Sequence, residues 1–219
     1  HIGSHFVEGI MRRGSENHWR YMRTDGSYLP GEFYKAGIFS DGMAAVEPHF
    51  VINKEGFQVR KVGFIDAHGQ VVIAPQFAEV TEFRDGLCPV RAYGQEQWGI
   101  IDKTGRWVVK PIFQGAQVYS EGLLPVGKNG LWGYIDKAGT FVISPKFKYA
   151  NGFHEGLAQV TLPGGEGSFV CINPKGEIVF DSLNEGAFTK EQMDSMAVSE
   201  LIHEHENIQY KCGVFEGKL

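Results

Sequence analysis

The chain lacks the features by which several large classes of protein are recognised. No apolar run among its 219 residues approaches the 18 residues expected of a membrane-spanning helix. Lys and Arg number 21 against 26 Asp and Glu, and no basic cluster stands out, which disfavours nucleic acid as a ligand. The sequence also has no glycine-flanked serine elbow and no phosphate-binding loop. We therefore expect no enzyme, no catalytic residue, no cofactor and no metal ligand.

Cysteine is scarce as well. Cys88, Cys171 and Cys212 are an odd number and show no C-x-x-C spacing, which predicts free thiols in a reducing compartment. On this ground the protein is expected to be cytoplasmic. The chain starts at His1 without a methionine, and residues 1–5 resemble an expression remnant, so a cleaved signal upstream is compatible with the sequence.

Glycine, in contrast, is abundant and recurs at a regular spacing. The chain has 29 glycines, and five four-residue turns end in glycines that lie 43, 36, 34 and 37 residues apart. A parallel set of glycines follows an acidic residue in each repeat. This period predicts a repeat architecture rather than one irregular core. The turn glycines are Gly26, Gly69, Gly105, Gly139 and Gly176, and the parallel set is Gly9, Gly42, Gly86, Gly122 and Gly156.

Repeat four shows the frame most clearly. An apolar run at 123–126 is followed by Asn129-Gly130, a strong signal for a tight hairpin. A second strand begins at Trp132, and a turn over 136–139 leads to a third. The pattern predicts five three-stranded antiparallel meanders. Their bounds are about 6–29, 42–73, 86–109, 122–143 and 156–180.

Two residue types recur within this frame. The aspartate that opens most of the turns can accept hydrogen bonds from the amides two and three residues further on. Because a Ca²⁺ ion takes six to eight oxygens and each turn offers one carboxylate, the aspartates are interpreted as structural. The glycine after the aromatic residue of the middle strand, as in Trp98-Gly99 and Trp132-Gly133, marks a bulge or a close backbone approach. Both tryptophans are expected to be largely buried.

The residues from Trp132 to Gly139, followed by Val142–Pro145 and Phe153–Ala158, resemble the consensus of the bacterial WG-containing (Trp-Gly) repeat. Trp98–Gly105 with Pro111 is similar to it as well. The resemblance covers residues 6–180 and implies an all-β repeat array that serves as an interaction surface. It implies no catalytic residue.

Together these observations predict an all-β fold of five meanders stacked in a curved array. A closed five-bladed propeller is the alternative, although blades usually have four strands. The function expected is non-enzymatic binding of another protein. By analogy, the protein is predicted to be an immunity protein that neutralises a bacterial toxin or effector by covering its active site. The alternatives are a carbohydrate- or envelope-binding module with exposed aromatics, and a hydrolase site in the loops.

The repeat pattern is broken at two places. Residues 47–61 of repeat two are an insertion that alternates apolar and polar residues around 53–56, which predicts a projecting hairpin. Phe50, Phe57 and Arg60 on it are residue types enriched at binding hot spots, so they are the predicted partner-binding residues. A hairpin that packs on its neighbour is the alternative.

The second break is the extension 181–219. A capping-box pattern at Thr189–Gln192 predicts a helix over 189–206 that caps the array or docks a partner. His203 and His205 on it are two residues apart and face different sides, so they are not expected to bind a metal.

Overall fold

The computed structural model describes residues 5–164 and 169–181. All regular structure in this part of the chain is β, as predicted, and none of its segments is a helix that could cross a membrane. The helix predicted at 189–206 lies outside the described residues. The strands are β1 (Ile10–Ser15), β2 (His18–Arg23), β3 (Lys35–Ala36), β4 (Met43–Glu47), β5 (Val51–Ile52), β6 (Gln58–Val59), β7 (Val62–Asp66), β8 (Val71–Val80), β9 (Leu87–Ala92), β10 (Trp98–Asp102), β11 (Trp107–Phe113), β12 (Gly115–Ala116), β13 (Leu124–Lys128), β14 (Leu131–Ile135), β15 (Phe141–Phe147), β16 (Tyr149–Ala150), β17 (Ala158–Thr161), β18 (Val170–Ile172) and β19 (Ile178–Asp181).

The chain forms two compact units, residues 1–118 and 119–219. In the N-terminal unit, β1 and β2 form the hairpin of repeat one, and seven strands form an antiparallel sheet in the order β11-β10-β9-β8-β7-β4-β3. In the C-terminal unit, β13, β14 and β15 form the meander of repeat four, and β16 to β19 form the sheet of repeat five. Three-stranded meanders are therefore present as antiparallel neighbours in repeats two to five, whereas repeat one forms the two-stranded hairpin of β1 and β2 with an isolated bridge from Met22 to Tyr28.

A short fourth strand joins the three predicted ones in several repeats. In repeat two β3 pairs with β4, in repeat three the end of β8 pairs with β9, and in repeat five β16 pairs with β17. The strands β3 and β16 have two residues each, which are too few to show an alternating pattern in the sequence. Four strands are also usual in propeller blades, so the strand count does not separate an array from a propeller.

The core of each repeat is centred on the middle strand, two residues before the turn. Tyr134 of β14 is fully buried, whereas Trp132, on the same face of the strand, is only partly buried. Trp98 is also partly buried, so most of each tryptophan side chain is covered, as predicted, although less completely than the residues of the core. Each lies at the start of its strand, nearer the edge of the core. The buried residues equivalent to Tyr134 are Tyr21, Phe64, Ile100 and Cys171.

The glycine of the Trp-Gly pair is required by a close approach of the third strand. A Cβ atom on Gly133 would lie 2.5 Å from the carbonyl oxygen of Ile143 and 2.7 Å from the nitrogen of Pro145. The register between β14 and β15 shifts at this point, as at a β-bulge. The predicted close approach is thus confirmed. The same contacts link Gly63 with Ile73 and Pro75, and Gly99 with Val109 and Pro111.

The aspartate turns are held by hydrogen bonds within each turn. Asp102 Oδ1 accepts from the amides of Thr104, at 2.8 Å, and Arg106, at 3.0 Å, and from the Thr104 hydroxyl at 2.6 Å. The amides are therefore two and four residues further on, not two and three as predicted. The Thr104 hydroxyl contributes most to lowering the pKa of Asp102. The equivalent acceptors are Asp66, Asp136 and Asn173.

The second recurring turn is a two-residue hairpin with an unusual backbone. Ser40 and Met43 exchange backbone hydrogen bonds of 2.9 and 3.1 Å, and Asp41 and Gly42 between them have φ of 55° and 73°. Positive φ at both central residues defines a type I′ turn. This left-handed conformation costs free energy for an acidic residue, which points to a role of its side chain in the fold. The equivalent residues with positive φ are Glu8, Asp85, Glu121 and Glu155.

These acidic side chains connect one repeat to the next. The Glu8 carboxylate accepts from the amide of Asp41 at 2.8 Å, and the Asp41 carboxylate accepts from the amide of Gly86 at 2.6 Å. In the C-terminal unit the Glu121 carboxylate accepts from the amide of Gly156 at 2.9 Å. We call these contacts the acidic ladder. The recurring acidic residue before each glycine of this set therefore links neighbouring repeats.

The cysteines differ from expectation in one respect. Cys88 is a buried free thiol, as predicted, and its burial raises its pKa to about 12. Cys171, however, is disulfide-bonded. The prediction of free thiols, on which the argument for a reducing compartment rests, is therefore confirmed for Cys88 and wrong for Cys171.

Candidate functional site

The insertion in repeat two forms a hairpin of its own. β5 and β6 pair with each other as a separate two-stranded sheet, with Val51 opposite Val59 and Ile52 opposite Gln58. The connecting turn is closed by the side chain of Asn53, whose Oδ1 accepts from an amide four residues further on at 2.7 Å. A hairpin at 47–61 is thus present as predicted, and we call it the insertion hairpin.

Large apolar side chains of the insertion hairpin face solvent. The exposed fractions are 52% for Phe50, 59% for Ile52 and 68% for Phe57. An isolated two-stranded hairpin is marginally stable in water. The exposed side chains of this hairpin do not add to the core that would stabilise it. Exposed apolar groups gathered on one projecting element are typical of an interaction surface.

Arg60, the third predicted binding residue, has contacts inside the chain. Its guanidinium carbon lies 3.9 Å from the ring centre of Tyr34, and its Nε lies 3.8 Å from Oε1 of Glu47. Its side chain is still 55% exposed. Arg60 therefore fixes the base of the insertion hairpin against repeat two, while Phe50 and Phe57 remain available for a partner.

An open pocket of about 450 Å³ lies in the N-terminal unit and includes Glu47. The Glu47 side chain is only 10% exposed; Lys35 Nζ lies 3.7 Å from its Oε2, and its Oε1 accepts no hydrogen bond within the described residues. Arg12, Trp19 and Glu79 also line the pocket. The lining found in the described part of the chain has no serine, cysteine or histidine, and its charged side chains offer a place to bind a polar group.

A cluster that the sequence did not predict lies at the surface of the same unit. His18 Nδ1 is 2.6 Å from Glu32 Oε1, and His49 Nε2 is 3.8 Å from the same oxygen. The hydrogen bond from His18 contributes most to lowering the pKa of Glu32. All three residues are exposed. They are separated by 14 and 17 residues with no motif between them, so no sequence signal indicates their proximity.

The fold and these surfaces define an all-β repeat protein with a separately paired insertion hairpin. The sequence profile of the WG-containing repeat matches three times, at residues 63–94, 98–132 and 132–162. This part of the chain belongs to the WG-containing repeat family, as the Trp-Gly pairs and the close approach of the third strand also indicate. Among curated proteins, none matches the chain.

Solved structures that match the chain in a structural comparison have low sequence identity to it. HIRA (residues 644–1017) is 10% identical with a TM-score of 0.44, and the match covers 78% of this chain and 65% of that one. The selenomethionine-substituted virginiamycin B lyase from Staphylococcus aureus is 16% identical with a TM-score of 0.45, over 80% and 67% of the two chains. A streptogramin B lyase is 14% identical with a TM-score of 0.43, over 80% and 65%. With TM-scores below 0.5, these likenesses support no inference about fold or function.

Proposed function

We propose that this chain is a non-enzymatic repeat module that binds another protein through the insertion hairpin. The observation that supports this most is the exposure of Phe50, Ile52 and Phe57 on a hairpin that pairs with no other strand among the described residues. Aromatic anchors surrounded by smaller contacts supply most of the energy of protein interfaces. The repeats supply a scaffold of hydrogen-bonded turns that holds these anchors in place.

The shape of the surface favours a protein partner over a small ligand. Small molecules bind in concave sites, whereas the insertion hairpin projects from repeat two and fits a groove on a partner. A sugar platform would require an accessible tryptophan face, but Trp98 and Trp132 are partly buried within their repeats. Exposed Trp107 also has the ring of Phe77 against it, edge to face, at 6.3 Å.

The class of partner that we propose is a bacterial toxin or effector whose active site is covered by the module. The immunity function stays a prediction by analogy with small neutralising proteins. The feature that supports it is the exposure of Phe50, Ile52 and Phe57 on the insertion hairpin, which could occupy an active-site cleft of a partner. The formal net charge of −5 suits a partner with a basic cleft.

The experiment begins with a photo-crosslinking amino acid at position 57, compared with the same group at Tyr149, which is 47% exposed in the C-terminal unit. The partner captured at position 57 is then purified, and its affinity is measured for the wild type and for Phe50→Ala, Phe57→Ala and Tyr149→Ala. Each hairpin variant should weaken binding by more than about 1 kcal/mol, or about fivefold. Tyr149→Ala should bind like the wild type, and all variants should keep the wild-type circular dichroism.

Equal affinity for the wild type and both phenylalanine variants would contradict the proposal, as would a complex in which residues 47–61 stay exposed. Capture of a polysaccharide instead of a protein would favour the carbohydrate-binding alternative. The immunity function has a separate test, in which the captured protein is assayed for toxicity and for its loss on addition of the module.

A further inference from the structure

Three side chains with metal-binding atoms converge beside the base of the insertion hairpin. We propose that His18, Glu32 and His49 form a binding site for Zn²⁺ or a divalent transition metal of similar preference. The site lies in the N-terminal unit, and its third ligand, His49, belongs to the insertion hairpin itself. It does not depend on the protein-binding function proposed above.

The backbone brings two of the three side chains to one face. Trp19 and Phe33 exchange two backbone hydrogen bonds of 2.9 Å each, as an antiparallel pair does. Since side chains alternate along extended strands, His18 and Glu32 project to the face opposite Trp19 and Phe33. There they are diagonal neighbours, which places them within reach of each other.

The third ligand is brought in by the next strand pair. The amide of Tyr34 donates to the carbonyl of Glu47 at 2.8 Å, which joins the Glu32 segment to the end of β4. His49 follows β4 by two residues. Its ring lies 5.4 Å from the ring of His18 and 6.3 Å from the ring of Tyr34. Backbone hydrogen bonds near the three ligands therefore hold their chain segments side by side before any metal binds.

The spacing of the ligand atoms suits a small ion. The three atoms all lie within 4.8 Å of one another, and the two contacts to Glu32 Oε1 measure 2.6 and 3.8 Å. In a tetrahedral zinc site with bonds of about 2.0–2.1 Å, ligand atoms are about 3.3 Å apart. Observed distances on both sides of that value mean that small side-chain rotations would complete the site.

The donor set selects the metal. Two imidazoles and one carboxylate suit Zn²⁺, Cu²⁺ or Ni²⁺, whereas Mg²⁺ and Ca²⁺ prefer oxygen ligands alone. Because all three residues are exposed, water can occupy the fourth position. Arg20 is a neighbouring cation, and its guanidinium carbon lies over the ring of Tyr28, 4.3 Å from the ring centre. A bound metal would tie β2 to the base of the insertion hairpin, since His49 directly precedes Phe50.

The test is titration of the full chain with Zn²⁺, measured by calorimetry in competition with a chromophoric chelator. Because the chain has eight histidines, the site is identified by substitution. His18→Ala, His49→Ala and Glu32→Gln should each weaken the tightest binding step at least about 100-fold, since even the partners of zinc ligands contribute 10–100-fold. The exposed histidines of other turns serve as matched controls, and His68→Ala and His154→Ala should stay within about twofold of the wild type.

A measurement on the wild type guards against misfolded variants. In NMR spectra, one equivalent of Zn²⁺ should shift the imidazole signals of His18 and His49, while those of His68 and His154 stay in place. The proposal is overturned if the wild type binds no Zn²⁺, or if the three substitutions leave binding unchanged. An equal response to Mg²⁺ would also overturn it, because that ion does not prefer nitrogen ligands.

Discussion

Replacement of Gly133 by alanine tests the structural reason for the Trp-Gly pair. The added Cβ would lie 2.5 Å from the carbonyl oxygen of Ile143, whereas ordinary contact begins at 3.4 Å. The strands β14 and β15 must therefore separate locally by about 0.9 Å, the difference between these distances. Overpacking of this kind costs about 1–3 kcal/mol, and stretched hydrogen bonds beside it add to the cost. We expect a loss of about 2–4 kcal/mol, seen as a fall in Tm of about 4–16 °C by circular dichroism.

Gly130→Asn in the same sheet is the matched control. Gly130 has φ of 78° and no atom within 4 Å of its Cβ position, and asparagine tolerates this conformation. We expect it to cost less than about 0.5 kcal/mol. In repeat five the equivalent position is Val170, which is buried, so Val170→Gly should destabilise the protein. A Gly133→Ala variant with the same Tm as the Gly130→Asn variant would refute this reasoning.

Substitutions at two further residues test the turns. Asp102→Ala should lower the Tm, whereas Asp102→Asn should lower it less, because Asn173 makes the equivalent hydrogen bonds in repeat five. The pKa values of Asp66 and Asp102 are lowered by their hydrogen bonds, so these carboxylates stabilise the fold above the ordinary Asp pKa of about 3.9. That stability is lost as the pH falls through the lowered pKa values. An equal difference in Tm between the wild type and Asp102→Ala at all pH values would contradict this pH dependence. Glu121→Ala should cost about 0.5–1.5 kcal/mol in urea unfolding through the lost bond to Gly156, while Glu121→Gln keeps an acceptor and should cost less; equal losses would show that the acceptor is unimportant.

The parts of the fold that the sequence predicted are those set by local chemistry. Asn129 and Gly130 have φ of 53° and 78° and form the predicted tight turn. Gly133 was predicted to permit a close approach because a strand glycine beside a ring has few other uses. In the insertion hairpin, the predicted strand pairing around residues 53–56 is present, with Val51 opposite Val59.

Features that depend on distant residues could not be predicted. The short strand β16 gains its partner only when β17 lies beside it, and the burial of Trp132 depends on its distance from the edge of the core. The approach of His18 to His49 depends on the pairing of three separate segments, which leaves no periodic trace in the sequence.

The acidic ladder and the insertion hairpin lie at opposite ends of β4. The strand follows the turn at Asp41, whose carboxylate holds Gly86 of the next repeat, and its other end, Glu47, leads into the insertion hairpin. In repeat four the corresponding connection is only the two-residue turn at Asn129. One end of each strand pair is thus free to change in length while the other keeps the repeats in register. Such a division lets a lineage exchange its recognition loops, or an engineer graft new ones, without redesigning the scaffold.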